Sequence, residues 1–330
     1  MGAEPCSLKA GRGADPQMTT CPVCHATESV PYAEEIRDYL TGVPFKIERC
    51  SCCDLAFTIP QPERMDRFYP GDYRRFGPPT RLVLQFLYNR RVGTWIRTLG
   101  TPGTALEIGS GAGWMLRALR RRGWRVVGNE RNAQSSGAVL PKEGLPVFVG
   151  GLDAIRSNAQ FDLIILFQVL EHLENPLTVL RDCARLLAPR GVLVVAVPNL
   201  DSWQARLCGP FWFHLDVPRH LFHFTPASLS QTLEAAGLKV MTIGYSSPEH
   251  DPYGWIQSIQ NWMGFRQNQL TRMMMGIDAW GTSRLVSLVL LATSALLFLP
   301  SVAVAVLSWL AGAGALMEVS AVKADARTKA

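Results

Sequence analysis

The chain has 330 residues, 48% of them hydrophobic and 18% charged, which allows one full α/β domain with smaller additions. The formal net charge of +6 is modest and the basic residues form no long tract, which argues against a nucleic-acid-binding protein. The densest basic group, residues 117–125, suits a solvated helix face and its end; contact with nucleic acid or anionic lipid is the alternative.

The first segment, residues 1–20, has no apolar run and is rich in Gly, Pro and Ala, so it is predicted to be disordered. It also lacks the apolar core of a signal peptide. In a chain that is not exported, paired cysteines are expected to bind metal rather than to form disulfides.

Residues 21–70 contain two Cys-x-x-Cys pairs, Cys21 with Cys24 and Cys50 with Cys53. Two such pairs supply four thiolates for a tetrahedral Zn²⁺ ion. A closed four-thiolate site leaves no open position for catalysis, so we expect a structural role; contact with a partner or substrate is the alternative.

Residues 71–245 alternate strand and helix patterns in the βαβ manner, and the apolar strands read as buried on both faces. Helices are expected at 80–99, 114–122, 176–187 and 226–236, and strands at 105–108, 125–128, 147–149, 161–167, 192–197 and 238–243. This order predicts a Rossmann-like, doubly wound, mostly parallel sheet with its ligand at the carboxyl ends of the strands.

The most informative motif is the glycine-rich turn after the first of these strands, Glu107-Ile-Gly109-Ser-Gly111-Ala-Gly113. Alternate glycines let the backbone turn tightly and approach a ligand closely. A dinucleotide-binding fingerprint needs another glycine at position 114, which is tryptophan, so that match fails. A second carboxylate, Glu130, follows the next strand, where it can accept both hydroxyls of a ribose; an ordinary loop acid is the alternative.

With these motifs, residues 80–243 resemble the class I S-adenosylmethionine-dependent methyltransferase superfamily. The resemblance also includes residues 161–164, 169–173 and 187–191. It implies that the glycines pass under the methionine part of S-adenosylmethionine and that Glu130 holds the ribose. It further implies that Glu107 belongs to the cofactor site, that Leu152 and Asp153 flank the adenine, and that Phe167 and Gln168 line the pocket floor.

The cysteine segment is similar to the zinc-ribbon lead-in of methyltransferases that act on sugars and natural products. Methyl transfer requires alignment of the acceptor, and removal of its proton can assist. Past the fifth strand, His220 is the first candidate for the general base and His223 the second, although each can be an ordinary hydrogen-bonded histidine. Glu171 and His172 are as suited to a structural role as to a catalytic one.

The end of the chain is unusually apolar, with no charged residue from 285 to 316. Residues 317–330 are expected to hold the final, antiparallel strand of a seven-stranded sheet, as the resemblance implies. A helical hairpin that turns at Pro300 and dips into one membrane leaflet is therefore predicted for 285–316. A soluble helical pair and a single tilted span are the alternatives. Residues 246–284, rich in Trp and Met, suit an interfacial or substrate-side segment.

The sequence therefore predicts a methyltransferase on the cytoplasmic face of a membrane, with S-adenosylmethionine and a structural Zn²⁺. Its acceptor is expected to be small or lipid-linked, with a sugar as one candidate, and nucleic acid is not an expected partner. Two other hypotheses remain: an inactive, membrane-tethered zinc-ribbon scaffold, and a nicotinamide-dependent reductase, against which the glycine spacing argues.

Overall fold

The computed structural model describes residues 20–69, 77–131, 144–155, 158–277 and 283–324. The strands are β1 (Ser29–Arg37), β2 (Pro44–Cys50), β3 (Ala56–Ile59), β4 (Thr104–Ile108), β5 (Arg125–Glu130), β6 (Val147–Val149), β7 (Phe161–Phe167), β8 (Leu187–Pro198), β9 (Phe222–His223), β10 (Leu238–Gly244) and β11 (Leu316–Lys323). The α-helices are α1 (Pro78–Leu99), α2 (Trp114–Arg120), α3 (Pro176–Leu186), α4 (Trp203–Cys208), α5 (Pro226–Ala235), α6 (Asp251–Trp262), α7 (Gln269–Met274) and α8 (Arg284–Leu310).

The central sheet has seven strands in the order β10-β11-β8-β7-β4-β5-β6. The strands β6, β5, β4, β7 and β8 run parallel, and β11 is antiparallel to both of its neighbours. The predicted Rossmann-like, mostly parallel sheet and its antiparallel final strand are thereby confirmed. Strand β7 lies in the middle of the sheet, and its side chains from 163 to 166 are fully buried. A central strand is covered on both faces, which explains why these positions form an unbroken apolar run.

Helices α1, α2, α3 and α5 and strands β4 to β8 and β10 match the predicted segments to within a few residues, except that β8 begins five residues earlier, at Leu187. Asn175 precedes α3 as expected, but its side chain makes no capping hydrogen bond. The segment predicted to be disordered, residues 1–20, lies outside the described residues except for its last position, and so does the tail from 325.

A second sheet, in the order β1-β2-β3-β9, contains the cysteine segment. Strand β9 belongs to the methyltransferase-like part of the chain, and it pairs Phe222 with Phe57 and His223 with Ala56. Apolar side chains of both sheets also share one core. The segments on the two sides of the predicted boundary near residue 70 are therefore packed together, because one sheet contains strands from both of them.

The predicted helical hairpin at 285–316 is a single helix, α8, that continues through Pro300. A proline removes only one backbone donor, and an apolar segment leaves fewer backbone groups unpaired as a continuous helix than as a turn. At 1.5 Å per residue, 27 residues give a helix of about 40 Å. Helix α8 packs along α6 and leads directly into β11.

The buried residues in the second half of helix α8 are small, whereas most of the large apolar residues of the helix are exposed. Ser301, Ala305 and Ser308 are buried, at three- and four-residue spacing on one face. Large side chains such as Leu296 and Leu310 are exposed by 76% and 82%. A surface helix of a water-soluble protein usually has the reverse arrangement, with its apolar side chains buried and its polar side chains exposed.

Candidate functional site

The glycine-rich turn lies at the carboxyl end of β4, as the fold requires for a ligand site. Gly109 has a φ of 69°, and a Cβ at this position would lie 2.5 Å from Val169 Cγ2. Gly113 is also left-handed, with a φ of 67°, and forms the N-cap of α2. Gly109 is required both because a side chain would clash and because its φ is positive, whereas Gly113 is required because its φ is positive.

Glu107 lies beneath this turn and is 6% exposed. Its Oε2 has no hydrogen-bond partner among the described residues. Burial raises the pKa of Glu107 to about 8, and the nearby charge of Glu130 adds to the rise. A buried carboxylate oxygen without a partner is complementary to a cationic group and unsuited to a phosphate.

Glu130, the last residue of β5, supports the glycine turn. Its Oε1 accepts hydrogen bonds from the backbone N–H of Gly111 and, at 3.3 Å, from the hydroxyl of Ser110. Burial raises the pKa of Glu130, and these two hydrogen bonds oppose that rise. The glycine turn and the carboxylate predicted to bind ribose are thus in direct contact.

One cavity of about 460 Å³ joins the glycine turn to the side where an acceptor is expected. Of the predicted cofactor residues, it is lined by Glu107, Gly109, Gly111, Phe167 and Gln168. The others lie outside its lining within the described part of the chain: Gly113, Glu130, Leu152 and Asp153. Residues 132–143, which follow β5, are outside the described residues.

Gln168 stands at the floor of the cavity, directly after β7. Its φ of 57° is rare for a residue with a side chain. Its Nε2 is buried and has no hydrogen-bond partner among the described residues. A strained residue that presents an unused donor to a cavity is typical of a ligand site.

The opposite wall is formed by the segment before β9 and by α6 and α7. His214, Asp216 and His220 come from the first, and Tyr253 and Met274 from the helices. The sequence singled out His220 as a candidate base and 246–284, which contains Tyr253 and Met274, as a candidate substrate-side segment, but it gave no individual role to the other four residues. No local motif identifies them, because the wall is assembled from three separate parts of the chain.

The two candidate bases occupy different environments. His220 lines the cavity, and its Nδ1 lies 2.8 Å from the backbone oxygen of His214, so Nδ1 carries the proton and Nε2 a lone pair. Burial, with His172 nearby, keeps the pKa of His220 well below its ordinary value. His223 is outside the lining of the cavity among the described residues, and its Nε2 lies 3.0 Å from the Thr58 hydroxyl. Burial lowers the pKa of His223 to about 3.

The acceptor-side segment is fixed by Arg219, whose side chain is fully buried. It donates to Asp38 and to Asp216, each at 2.7 Å, and its guanidinium lies 4.4 Å from the centre of the Tyr39 ring. Asp216 and Tyr39 both line the cavity. Arg219 therefore connects the cysteine segment to the cavity wall.

The four predicted metal ligands lie together. One thiolate position from each of Cys21, Cys24, Cys50 and Cys53 lies within 4.8 Å of the others, and the pairs 21–53 and 24–50 are 3.5 Å apart. With Zn–S bonds of about 2.3 Å, a tetrahedral site separates its sulfurs by about 3.8 Å. None of the four forms a disulfide.

The two cysteine turns have the same backbone hydrogen bonds. The N–H groups of His25 and Asp54, one residue past each pair, donate to the carbonyls of Cys21 and Cys50 at 2.9 and 3.1 Å. Both residues are left-handed, with φ of 59° and 64°. Paired knuckles of this kind orient four sulfurs at one point, so the donor set fits Zn²⁺.

The basic group at 117–125 bonds within the protein. Arg122 donates to Asn89 Oδ1 at 2.6 Å, and Arg125 donates to the Thr104 hydroxyl at 3.1 Å. Arg120, Arg121 and Arg125 are also exposed, which fits the interpretation as a solvated helix face and its end.

The chain is similar to known methyltransferases in sequence. Residues 74–243, just over half of the chain, match the family model described as "Methyltransferase domain". A ubiquinone biosynthesis O-methyltransferase of Maricaulis maris is 30% identical over 148 residues, which is 41% of this chain and 58% of that protein. One of Dinoroseobacter shibae is 29% identical over 186 residues, covering 51% and 75%.

A crystal structure of a SAM-dependent methyltransferase from Archaeoglobus fulgidus has a TM-score of 0.44 at 16% identity, covering 72% of this chain and 93% of that one. This similarity is too low to support a conclusion of its own. The family match spans the glycine turn, Glu130 and the acceptor-side histidines. The chain therefore belongs to the family of methyltransferase domains.

Proposed function

We propose that this methyltransferase moves the methyl group of S-adenosylmethionine to a hydroxyl of a small or lipid-linked acceptor. The observation that carries the proposal is the single cavity lined by the glycine turn and Glu107 on one side and by His220 on the other. The unpartnered Oε2 of Glu107 suits a donor that is cationic and carries no phosphate. When bound, S-adenosylmethionine supplies an electrophilic methyl group on a sulfonium centre.

The chain's own residues align the acceptor and receive its proton. The hydroxyl proton passes to Nε2 of His220 as the acceptor oxygen gains the methyl group and the carbon–sulfur bond breaks. His220 is suited to this step because its Nδ1–H is held by the carbonyl of His214, which leaves Nε2 as the acceptor. His223 is bound to Thr58 outside the cavity and is assigned a structural role instead.

Two alternatives fit less well. A nicotinamide-dependent reductase needs a site for a pyrophosphate, where this chain has the buried carboxylate of Glu107 and the ring of Trp114 against Tyr88. An inactive scaffold would carry damage in the cofactor turn. The turn keeps its three glycines and their left-handed conformations, which supports an active enzyme.

The cysteine cluster is proposed to hold one structural Zn²⁺ in a zinc-ribbon-like module. Its support is the match between the sulfur distances and a tetrahedral site, together with the paired turns. The module's strand β3 contacts the acceptor-side segment, where the N–H of Thr58 donates to the carbonyl of Leu221 at 3.0 Å. Zinc would thus stabilise the wall of the cavity without taking part in the reaction.

Helix α8 is proposed to associate with the cytoplasmic face of a membrane. It is long and apolar enough to cross a bilayer, with a mean hydropathy of 2.3 over its most apolar 18 residues, of which 17% are buried. Replacing three exposed leucines with serine, Leu288, Leu296 and Leu299, leaves the buried face of the helix intact. This variant is expected to move from the membrane fraction to the supernatant; retention in washed membranes would refute the association.

The proposed activity is tested with methyl-labelled S-adenosylmethionine and separate lipid and aqueous extracts of the host cell. We expect labelled product and S-adenosylhomocysteine with the wild type, and much less of both with Glu130→Ala at equal protein concentration. Label that enters only aqueous compounds would exclude a lipid-linked acceptor. Absence of any transfer in a folded sample that binds the donor would favour the scaffold.

A further inference from the structure

The first half of α1 exposes a ridge of large apolar side chains. Leu82, Val83 and Phe86 are exposed by 67%, 58% and 59%. Arg81 and Arg90 are exposed beside them, and the Arg90 guanidinium lies 5.9 Å from the centre of the Phe86 ring. Apolar residues flanked by arginines on one helix are typical of a segment that lies in a membrane interface.

This ridge borders the mouth of the cavity. Val83 is exposed and also lines the cavity, so the cavity reaches the surface at this residue. Leu84 and Leu87 of α1 also line the cavity, as do Met274 and Met275 at the end of α7. Apolar side chains of two helices therefore line the cavity that reaches the surface at Val83.

Helix α8 lies beside the same entrance. Its Leu290 is fully buried in a cluster with Ile256 and Leu270, and the cavity-lining Tyr253 and Met274 pack against that cluster. Side chains that line the cavity thus pack against the same cluster that contains Leu290 of α8. The chain also reaches Arg284, the first residue of α8, nine residues after Met275.

We propose that the α1 ridge, Leu82, Val83 and Phe86, is a second membrane-contacting surface, and that with α8 it opens the cavity toward the lipid. The inference rests on the proposed methyltransferase function and narrows its acceptor to an amphipathic molecule dissolved in the bilayer. Such an acceptor places its hydroxyl near His220 while its apolar part stays between α1 and α7.

A lipid surface fits this ridge better than a second copy of the chain. Arg81 and Arg90 match anionic head groups in charge, and the protein as a whole has a net charge of +6. A copy of the same ridge would bring arginines toward arginines. The adjoining α8 also carries no charged residue after Arg284, whereas protein interfaces are bounded by a polar rim.

The test uses the full-length protein and vesicles of phosphatidylcholine and phosphatidylglycerol that carry a diazirine on an acyl chain. Peptides crosslinked by light are mapped by mass spectrometry. The variant is Leu82→Glu with Phe86→Glu, neither of which lines the cavity. The matched control is Leu207→Glu on α4, because Leu207 is equally apolar and 75% exposed.

We expect crosslinks in residues 81–90 as well as in α8 for the wild type and for Leu207→Glu. In the double variant the α1 crosslinks should disappear and labelling of the whole protein should fall, by about tenfold if α1 contributes as much as one buried aromatic side chain. Crosslinks confined to α8 would overturn the proposal. Self-association of the protein that buries the α1 ridge, detected by light scattering without vesicles, would also overturn it. Calorimetric binding of S-adenosylmethionine by the same samples separates this outcome from failure of the proposed function.

Discussion

Arg219 and Asp38 form an ion pair at 2.7 Å in which neither side chain is exposed to solvent, although 181 positions separate them in the chain. Arg219 also holds Asp216 on the cavity wall. Asp38 accepts two further hydrogen bonds from Thr41, so its carboxylate is fixed from both sides. The pair joins the cysteine segment to the acceptor side of the cavity.

Replacing Asp38 by asparagine should strongly destabilise the protein. It removes one of the two carboxylates that pair with the buried guanidinium of Arg219 and leaves Asp216 as the other. Breaking a buried pair costs about 3–5 kcal/mol, and the remaining pair with Asp216 places the expected loss at the lower end of that range. Urea unfolding at neutral pH measures the loss in the free energy of unfolding. Asp66→Asn is the control, because its ion pair with Arg64 at 2.8 Å is exposed and its removal should have no measurable effect. Equal stability of the two variants would contradict the structural role of the buried pair.

The sequence predicted the central sheet well because its strands and helices have local signals. The apolar runs of β7 and β8 and the glycine turn after β4 each specify their structure within a short window. Glu107 stood out by its place near the end of a strand, and Gln168 was implied by the resemblance to methyltransferases. Both residues line the cavity, and their contact with the cofactor remains a prediction.

The second sheet and the acceptor-side wall could not be predicted in the same way. Strand β9 has two residues and forms only because β3 lies beside it, and the Arg219–Asp38 pair depends on the tertiary fold. The prediction for 285–316 was wrong in shape, because Pro300 was expected to end a helix that the surrounding apolar residues continue. The apolar composition correctly identified where this helical segment lies. That it forms one continuous helix could not be predicted locally, because the helix packs along α6.

Removal of the metal should weaken the second sheet. Purified protein is expected to contain about one equivalent of zinc, and Cys24→Ser should lose it together with at least about 2 kcal/mol of stability. Elemental analysis and thermal unfolding measure the two effects. Cys208→Ser, at a buried cysteine far from the cluster in sequence, should retain its zinc. A zinc-free wild type that unfolds at the same temperature with and without chelator would refute the site.

Gly109→Ala should disrupt the cofactor turn. The added Cβ would meet Val169 at 2.5 Å in a backbone conformation that alanine disfavours, so both stability and affinity for S-adenosylmethionine should fall. Gly237→Ala is the matched control, since its φ is 80° with no atom within 4 Å of the added carbon. That variant should lose about 1 kcal/mol of stability and keep its affinity. Full affinity in Gly109→Ala would remove the turn from the site.

Affinity for S-adenosylmethionine should rise with pH. In the free protein the pKa of Glu107 is raised to about 8 by burial, so most of this carboxyl is protonated at pH 7. A cation bound beside it favours the carboxylate, and binding then releases a proton. Affinity should increase by up to about tenfold per pH unit below pH 8 and level off above it. Calorimetry in buffers of different ionisation enthalpy detects the proton, and Glu107→Gln should abolish both effects.

The central claim is that the cavity binds S-adenosylmethionine, and titration calorimetry of the folded, zinc-loaded protein tests it most directly, with NADH as the control ligand. We predict saturable binding of S-adenosylmethionine, a markedly lower affinity for it in Glu130→Ala, and no heat of binding with NADH. Binding of NADH alone, or of neither ligand by a sample with native unfolding behaviour, would contradict it.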